Sequence, residues 1–174
     1  TCAKCSTGTF SKDGVCSPCS AGTYQSLEGQ SSCDACTQTG HYCPERATKE
    51  LPCDSGFYQD EAGQQSCDAC DTGHFCSGTG LTEQTPCAAG TYQNEAGQAS
   101  CDACPAEKQG VVTDDCYARG CYQSQPGKDS CDVCGDDKFQ DDEGQPSCKP
   151  CTETATSGIC SCDGYGAGGD GTCA

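Results

Sequence analysis

Large apolar side chains gather nowhere along this chain. No window repeats them at the spacing that the buried face of a helix requires, so helix is expected nowhere beyond a turn or two. Instead, one aromatic residue returns at a fixed place. Tyr24, Tyr58 and Tyr92 each follow a cysteine and a glycine, in CSAGTY, CDSGFY and CAAGTY, and Phe139 takes the same part in CGDDKF. Gly22, Gly56 and Gly90 mark a tight turn just after the cysteine. Gly29, Gly63, Gly97 and Gly144, flanked by acidic and amide residues, mark the tip of a hairpin. The pattern predicts antiparallel strands of roughly three to four residues on each side of a tip. Each aromatic ring is expected to pack on a disulfide that stands in for a core. The expected fold class is small and disulfide-rich: an elongated tandem array of loop-and-β-hairpin cysteine-rich modules, with little helix and no conventional hydrophobic core.

The motif is periodic. Cys19, Cys53, Cys87 and Cys121 stand 34 residues apart. The loops read CSAGTYQSLEGQSSCDAC, CDSGFYQDEAGQQSCDAC and CAAGTYQNEAGQASCDAC, then a shortened CYQSQPGKDSCDVC and a full CGDDKFQDDEGQPSCKPC. The expected units are a contracted N-terminal repeat at 1–18, and repeats at 19–52, 53–86 and 87–120. A shortened repeat plus a full loop at 121–151 and a tail at 152–174 complete the chain. Between the loops run linkers, two of which are alike: TQTGHYCPERATKELP and DTGHFCSGTGLTEQTP. A period of this length also suits helical tetratricopeptide units, but those need apolar helix faces that are missing here.

Composition sharpens the picture. Ile, Leu, Val and Phe together supply only twelve of 174 residues, and the formal charge is −17. Such a chain cannot bury enough apolar surface to offset backbone ordering, about 1–2 kcal/mol per residue, and by itself would be disordered. The 23 cysteines reverse that expectation. Closing a 15-residue loop by a disulfide removes about 3 kcal/mol of unfolded-state entropy. Bridges at this density persist only in an oxidising compartment, so the protein is expected to be extracellular, secreted or at the cell surface. No segment is apolar enough to span a membrane and no signal peptide is evident, which leaves a mature product or a piece of something longer. A pI near 4.1 argues against nucleic acid or anionic lipid as partner.

Because four cysteines recur in each period, a recurring pairing must close within it, and the simplest scheme joins neighbours along the chain. It gives Cys5–Cys16, Cys19–Cys33, Cys36–Cys43, Cys53–Cys67, Cys70–Cys76 and Cys87–Cys101. It continues with Cys104–Cys116, Cys121–Cys131, Cys134–Cys148, Cys151–Cys160 and Cys162–Cys173. Cys2 is left over, as a free thiol or an intermolecular partner.

Other chemistry fits these residues less well. Cys16-x2-Cys19…Cys33-x2-Cys36 approaches zinc-ribbon spacing. Cys53 and Cys87 open equivalent loops with Glu50 and Gln84 where a fourth ligand would stand, which argues against metal. Redox use of the repeated C-x-x-C motifs would need a βαβ context. His41 and His74, in GHYC and GHFC, are read as residues packing beside a bridge rather than as a pH-sensing or metal pair. Asp136, Asp137, Asp141, Asp142 and Glu143 lack the spacing of a calcium loop and read as a solvated acidic face. Recurring catalytic constellations are lacking and no cofactor is implied, so no enzyme is expected. The only Asn, Asn94, is followed by Glu-Ala and forms no glycosylation sequon. The Ser/Thr-rich stretches Thr79–Thr85 and Thr152–Ser157 are either O-glycan carriers or plain linker.

The phrases C-x3-TY-Q-x3-GQ-x-SC-x2-C and C-x4-GHYCP…PC resemble the ephrin-receptor-like cysteine-rich repeats, cousins of tumour-necrosis-factor-receptor modules. Similar repeats form arrays in protist surface proteins. The resemblance spans Cys2 to Cys151 and implies thin, loop-and-hairpin modules stacked outside the cell. The tail from Cys160 to Cys173 looks like the end of an EGF-like module. Two functions remain open at this point: a subunit of an extracellular filament, hair-like appendage or coat, or a receptor or adhesin ectodomain binding a protein ligand. Expected partners are further copies of the chain or another extracellular protein.

Overall fold

A computed structural model describes residues 4–106, 120–135 and 138–150, together with the backbone of Thr152–Glu153 and Cys160–Ser161. Among these residues there is no helix, and nine two-stranded antiparallel hairpins follow one another in tandem. Hairpin 1 joins β1 (Thr9–Lys12) to β2 (Val15–Pro18), and hairpin 2 joins β3 (Thr23–Tyr24) to β4 (Asp34–Ala35). Hairpins 3 and 4 are β5 (His41–Tyr42) with β6 (Leu51–Pro52), and β7 (Phe57–Tyr58) with β8 (Asp68–Ala69). Hairpins 5 and 6 are β9 (His74–Phe75) with β10 (Thr85–Pro86), and β11 (Thr91–Tyr92) with β12 (Asp102–Ala103). Hairpins 7 and 8 are β13 (Cys121–Tyr122) with β14 (Asp132–Val133), and β15 (Lys138–Phe139) with β16 (Lys149–Pro150). A last pair, β17 (Thr152–Glu153) and β18 (Cys160–Ser161), follows.

Two expectations change. Beyond hairpin 1 the strands are two residues long rather than three to four, because hydrogen bonds to neighbouring hairpins take over directly at each strand end. The linkers are not linkers: GHYC and GHFC begin hairpins 3 and 5, so each 34-residue period holds two hairpins instead of one.

The interior is made of sulfur. Cys19, Cys43, Cys53, Cys70, Cys76, Cys87, Cys104 and Cys121 are fully buried, as bulky aliphatic side chains would be elsewhere. Tyr24 packs on a small cluster of Cys36, Cys43 and Ala47, so its ring does cover a bridge. The chain divides into two compact units. One comprises the chain to Asp71 with Phe75–Thr85 and Ala96–Ala99, and the other Thr72–His74, Pro86–Glu95 and the chain from Ser100.

Candidate functional site

The feature that recurs with constant geometry is a four-residue opening of hairpins 2 to 7, Gly-x-aromatic followed by Gln or Cys. It reads GTYQ at 22–25, GHYC at 40–43, GFYQ at 56–59, GHFC at 73–76, GTYQ at 90–93 and GCYQ at 120–123. The glycine carbonyl accepts a hydrogen bond from the cysteine that closes the same hairpin. Cys36 N–H thus meets Gly22 at 2.9 Å, Cys53 N–H meets Gly40 at 2.8 Å, and Cys104 N–H meets Gly90 at 2.9 Å. The glycine N–H instead donates to the next hairpin, at its Gln or Cys: Gly22 to Cys43 at 2.8 Å, Gly40 to Gln59 at 2.7 Å, Gly73 to Gln93 at 2.7 Å. That residue's own N–H reaches the following tip, as in Gln25 to Ala47, Cys43 to Gln64 and Gln59 to Leu81.

A further bond skips one hairpin. The tip glycine donates to the closing cysteine two hairpins back: Gly80 to Cys53 at 2.8 Å, Gly97 to Cys70 at 2.7 Å, Gly127 to Cys87 at 2.8 Å. This contact demands glycine at the opening position. At Gly56, with φ +91°, a Cβ would lie 2.2 Å from the Gly97 carbonyl oxygen, and at Gly40 it would lie 2.1 Å from that of Gly80. Buried backbone groups thereby find partners in adjacent hairpins rather than in long strands.

The disulfides follow the same ladder. Each closing cysteine bonds into the next hairpin: Cys5–Cys16, Cys19–Cys33, Cys36–Cys43, Cys53–Cys67, Cys70–Cys76, Cys87–Cys101 and Cys134–Cys148. Two receiving places alternate. In hairpins 3 and 5 the receiver is the fourth residue of the opening, Cys43 or Cys76. In hairpins 2, 4 and 6 that place holds a buried glutamine, and the receiver lies three residues before the closing cysteine.

Hydrogen bonds fill whichever place sulfur leaves. Gln25 donates from Nε2 to Ser32 O (2.9 Å) and accepts from Leu27 N–H (2.9 Å), and Gln59, Gln93, Gln123 and Gln140 bond likewise. In hairpins 3 and 5, Glu50 and Gln84 stand where the receiving cysteine would be. They accept the N–H of Thr37 at 2.6 Å and of Asp71 at 2.7 Å. The sequence reading does not single out the buried glutamines as structural residues; their regular place after the aromatic ring is the available signal.

One part of the expected pairing is overturned. Cys104 bonds Cys131, not Cys116, and Cys131 is therefore not the partner of Cys121. Hairpin 7 opens with Gly120, so Cys121 sits after the glycine, within β13, where Thr91 sits in hairpin 6. The closing cysteine ahead of that glycine is Cys104, set back by the extra residues between them. Cys121 is disulfide-bonded as well. Cys2, Cys151, Cys162, Cys173 and the side chain of Cys160, and with them the expected pairs Cys151–Cys160 and Cys162–Cys173, lie outside the described residues, as do Asp136 and Asp137 and the side chains of the expected EGF-like tail.

The remaining candidates are held locally. His41 and His74 set Nδ1 against Thr39 O at 3.1 Å and Thr72 O at 3.3 Å. Asp141 and Asp142 are both engaged by Lys149 Nζ, the latter at 2.8 Å. The Lys149 hydrogen bond holds Asp141 below the ordinary carboxylate range, and the two carboxylates push Lys149 upward. Among the described residues, no group of three or more His, Cys, Asp or Glu is arranged to hold a metal ion, and no helix is long and apolar enough to cross a membrane. An open groove lined by Pro18, Ala21, Pro44, Glu45 and Gln65 carries no convergent set of reactive groups.

The sequence model of one family, tyrosine-protein kinase ephrin type A/B receptor-like, matches residues 8–50 and 73–119. No curated protein matches the chain.

Proposed function

This chain belongs to the ephrin type A/B receptor-like family of cysteine-rich repeats, and we propose that it acts outside the cell as a structural subunit of a filament, hair-like appendage or surface coat. The observation that carries this reading is the hairpin ladder. The same main-chain donors and acceptors recur from Gly8 to Gly144, spent on holding one hairpin to the next rather than on shaping a pocket. Disulfides at this density require an oxidising surrounding, which supports an extracellular place. An acidic surface that repeats small polar side chains suits contact with further copies or another extracellular protein, and disfavours nucleic acid. Exposed Thr79, Thr82 and Thr85 would carry O-glycans in this setting.

The second reading is a receptor or adhesin ectodomain that binds a protein ligand, and the description of the matched family favours it. Electron microscopy and sedimentation of the native, oxidised protein separate the two. Regular polymers support the structural reading. A monomer at every concentration, together with saturable binding of a single protein ligand, overturns it.

A further inference from the structure

Charge is spread unevenly along the described residues. Residues 1–50 carry four Lys or Arg against five acids, whereas residues 51–71 carry five acids and no Lys or Arg. The first stretch also holds the two most exposed large apolar side chains, Val15 at 66% and Leu27 at 61%. Equivalent places elsewhere are polar: Leu27 stands two residues after the buried glutamine, where Glu61 and Glu95 stand in hairpins 4 and 6. Hairpins 1 and 2 lie edge to edge there, through Ser11 N–H to Gln30 O and Gly29 N–H to Cys5 O, both 2.8 Å.

Arg46 adds an independent sign. Its N–H donates to Cys19 O at 2.9 Å, the bond that tip glycines such as Gly80 and Gly97 make elsewhere, and its φ is +65°. A side chain in that conformation is strained relative to glycine. Backbone strain retained at one copy of a repeated position is where function is to be sought. Here the strained backbone of exposed Arg46 lies against hairpin 1, its carbonyl oxygen standing where a Cβ on Gly8 would go.

Hairpin 4 is the natural complement. Asp54, Asp60, Glu61, Asp68 and Asp71 are all exposed, and among them Phe57 is 39% exposed where Thr23 and Thr91 stand in hairpins 2 and 6. Burial, and then the charges of Asp71, Asp60 and Asp68, raise the Tyr58 phenol, which reports the negative field there.

We infer that the N-terminal end, through Val15, its cross-strand neighbour Lys12 and Leu27, with Arg46 and with Lys4 paired to Glu28 at 4.0 Å, docks onto Phe57 and the acidic residues of hairpin 4 in a second copy. The inference rests on the self-assembly reading and supplies its contact. An apolar centre with a charged rim is the usual anatomy of a specific interface. Two different patches make a head-to-tail contact, which grows into an open polymer unless the rotation closes.

The test writes into each patch the residues that equivalent hairpins already carry, so folding is preserved. Arg46→Gly with Leu27→Glu alters one patch, and Phe57→Thr alters the other. Each variant alone should raise the critical concentration for assembly at least tenfold at low salt without lowering the thermal midpoint. Mixed in equal amounts, the two variants should stop at a capped dimer, since each retains one intact patch. Carbodiimide cross-linking of mixed isotope-labelled copies should join Lys4 or Lys12 of one copy to acidic residues 54–71 of another. If wild-type chain polymerises and both variants polymerise as readily, the docking inference is overturned and the structural reading stands. If wild-type chain stays monomeric at all salts and concentrations, both fall.

Discussion

Cys43 occupies in hairpin 3 the place that Gln25 occupies in hairpin 2, and both accept the N–H of the preceding hairpin's opening glycine through their main-chain oxygen. One side chain forms a covalent bridge to the previous hairpin and the other staples its own loop. The ladder therefore tolerates two chemistries at one site provided the backbone path is kept.

Loss of the amide should be felt accordingly. Gln59 is 3% exposed and bonds Ser66 O and Glu61 N–H. Gln59→Ala strands both groups, which belong to exposed residues, at about 1–2 kcal/mol for each left unsatisfied. Denaturant unfolding with the disulfides intact should show a loss of about 2–4 kcal/mol in total. An unchanged midpoint would mean that water replaces the amide.

Two glycines with similar φ separate conformational preference from crowding. Gly14, at φ +79°, has nothing within 4 Å of the place a Cβ would take, its chain neighbours aside, whereas at Gly56 that place lies 2.2 Å from a backbone oxygen. Gly14→Ala should cost about 1–2 kcal/mol, the left-handed penalty alone. Gly56→Ala should cost clearly more and slow oxidative refolding. Equal effects would argue against the close approach to Gly97.

Non-reducing peptide mapping should recover Cys104 joined to Cys131. Recovery of Cys121 joined to Cys131 would return the pairing to strict chain neighbours and break the rule that each closing cysteine bonds into the next hairpin.

The Asp141–Lys149 pair sets a pH window. Because Asp141 titrates below its ordinary range, its contribution is present above that range and is lost as pH falls through the lowered value. Lys149 is raised, so its contribution is present below its ordinary range and is lost as pH rises through the raised value. Both groups are exposed and the effect on global stability should be small. Carboxyl chemical shifts should show Asp141 titrating lower in wild type than in Lys149→Met; identical titrations would dismiss the ion pair.

Much of this is legible in the residues. The glycine and tyrosine of CSAGTY, the tip at Gly29 and the loop from Cys19 to Cys33 all lie where the pattern of turn residues places them. Hairpins 3 and 5 are hidden because a cysteine replaces glutamine in GHYC and GHFC, which disguises the same opening as a linker. Cys121 misleads because the visible period runs from cysteine to cysteine, while the fold counts from glycine. Buried glutamine is hard to foresee because its burial depends on loop groups seven residues away, such as Ser32 O for Gln25.

The order of bonding also bears on heredity. Each of hairpins 1 to 6 brings two cysteines to the ladder, one that receives a bridge from behind and one that sends a bridge ahead. Duplicating or deleting a whole hairpin would therefore leave the count of thiols even. The sender behind the gap would simply meet the next receiver, whether that receiver lies like Cys43 or like Cys67. Copy number in such a gene can drift by single hairpins without stranding a reactive sulfur, and length becomes a trait open to selection.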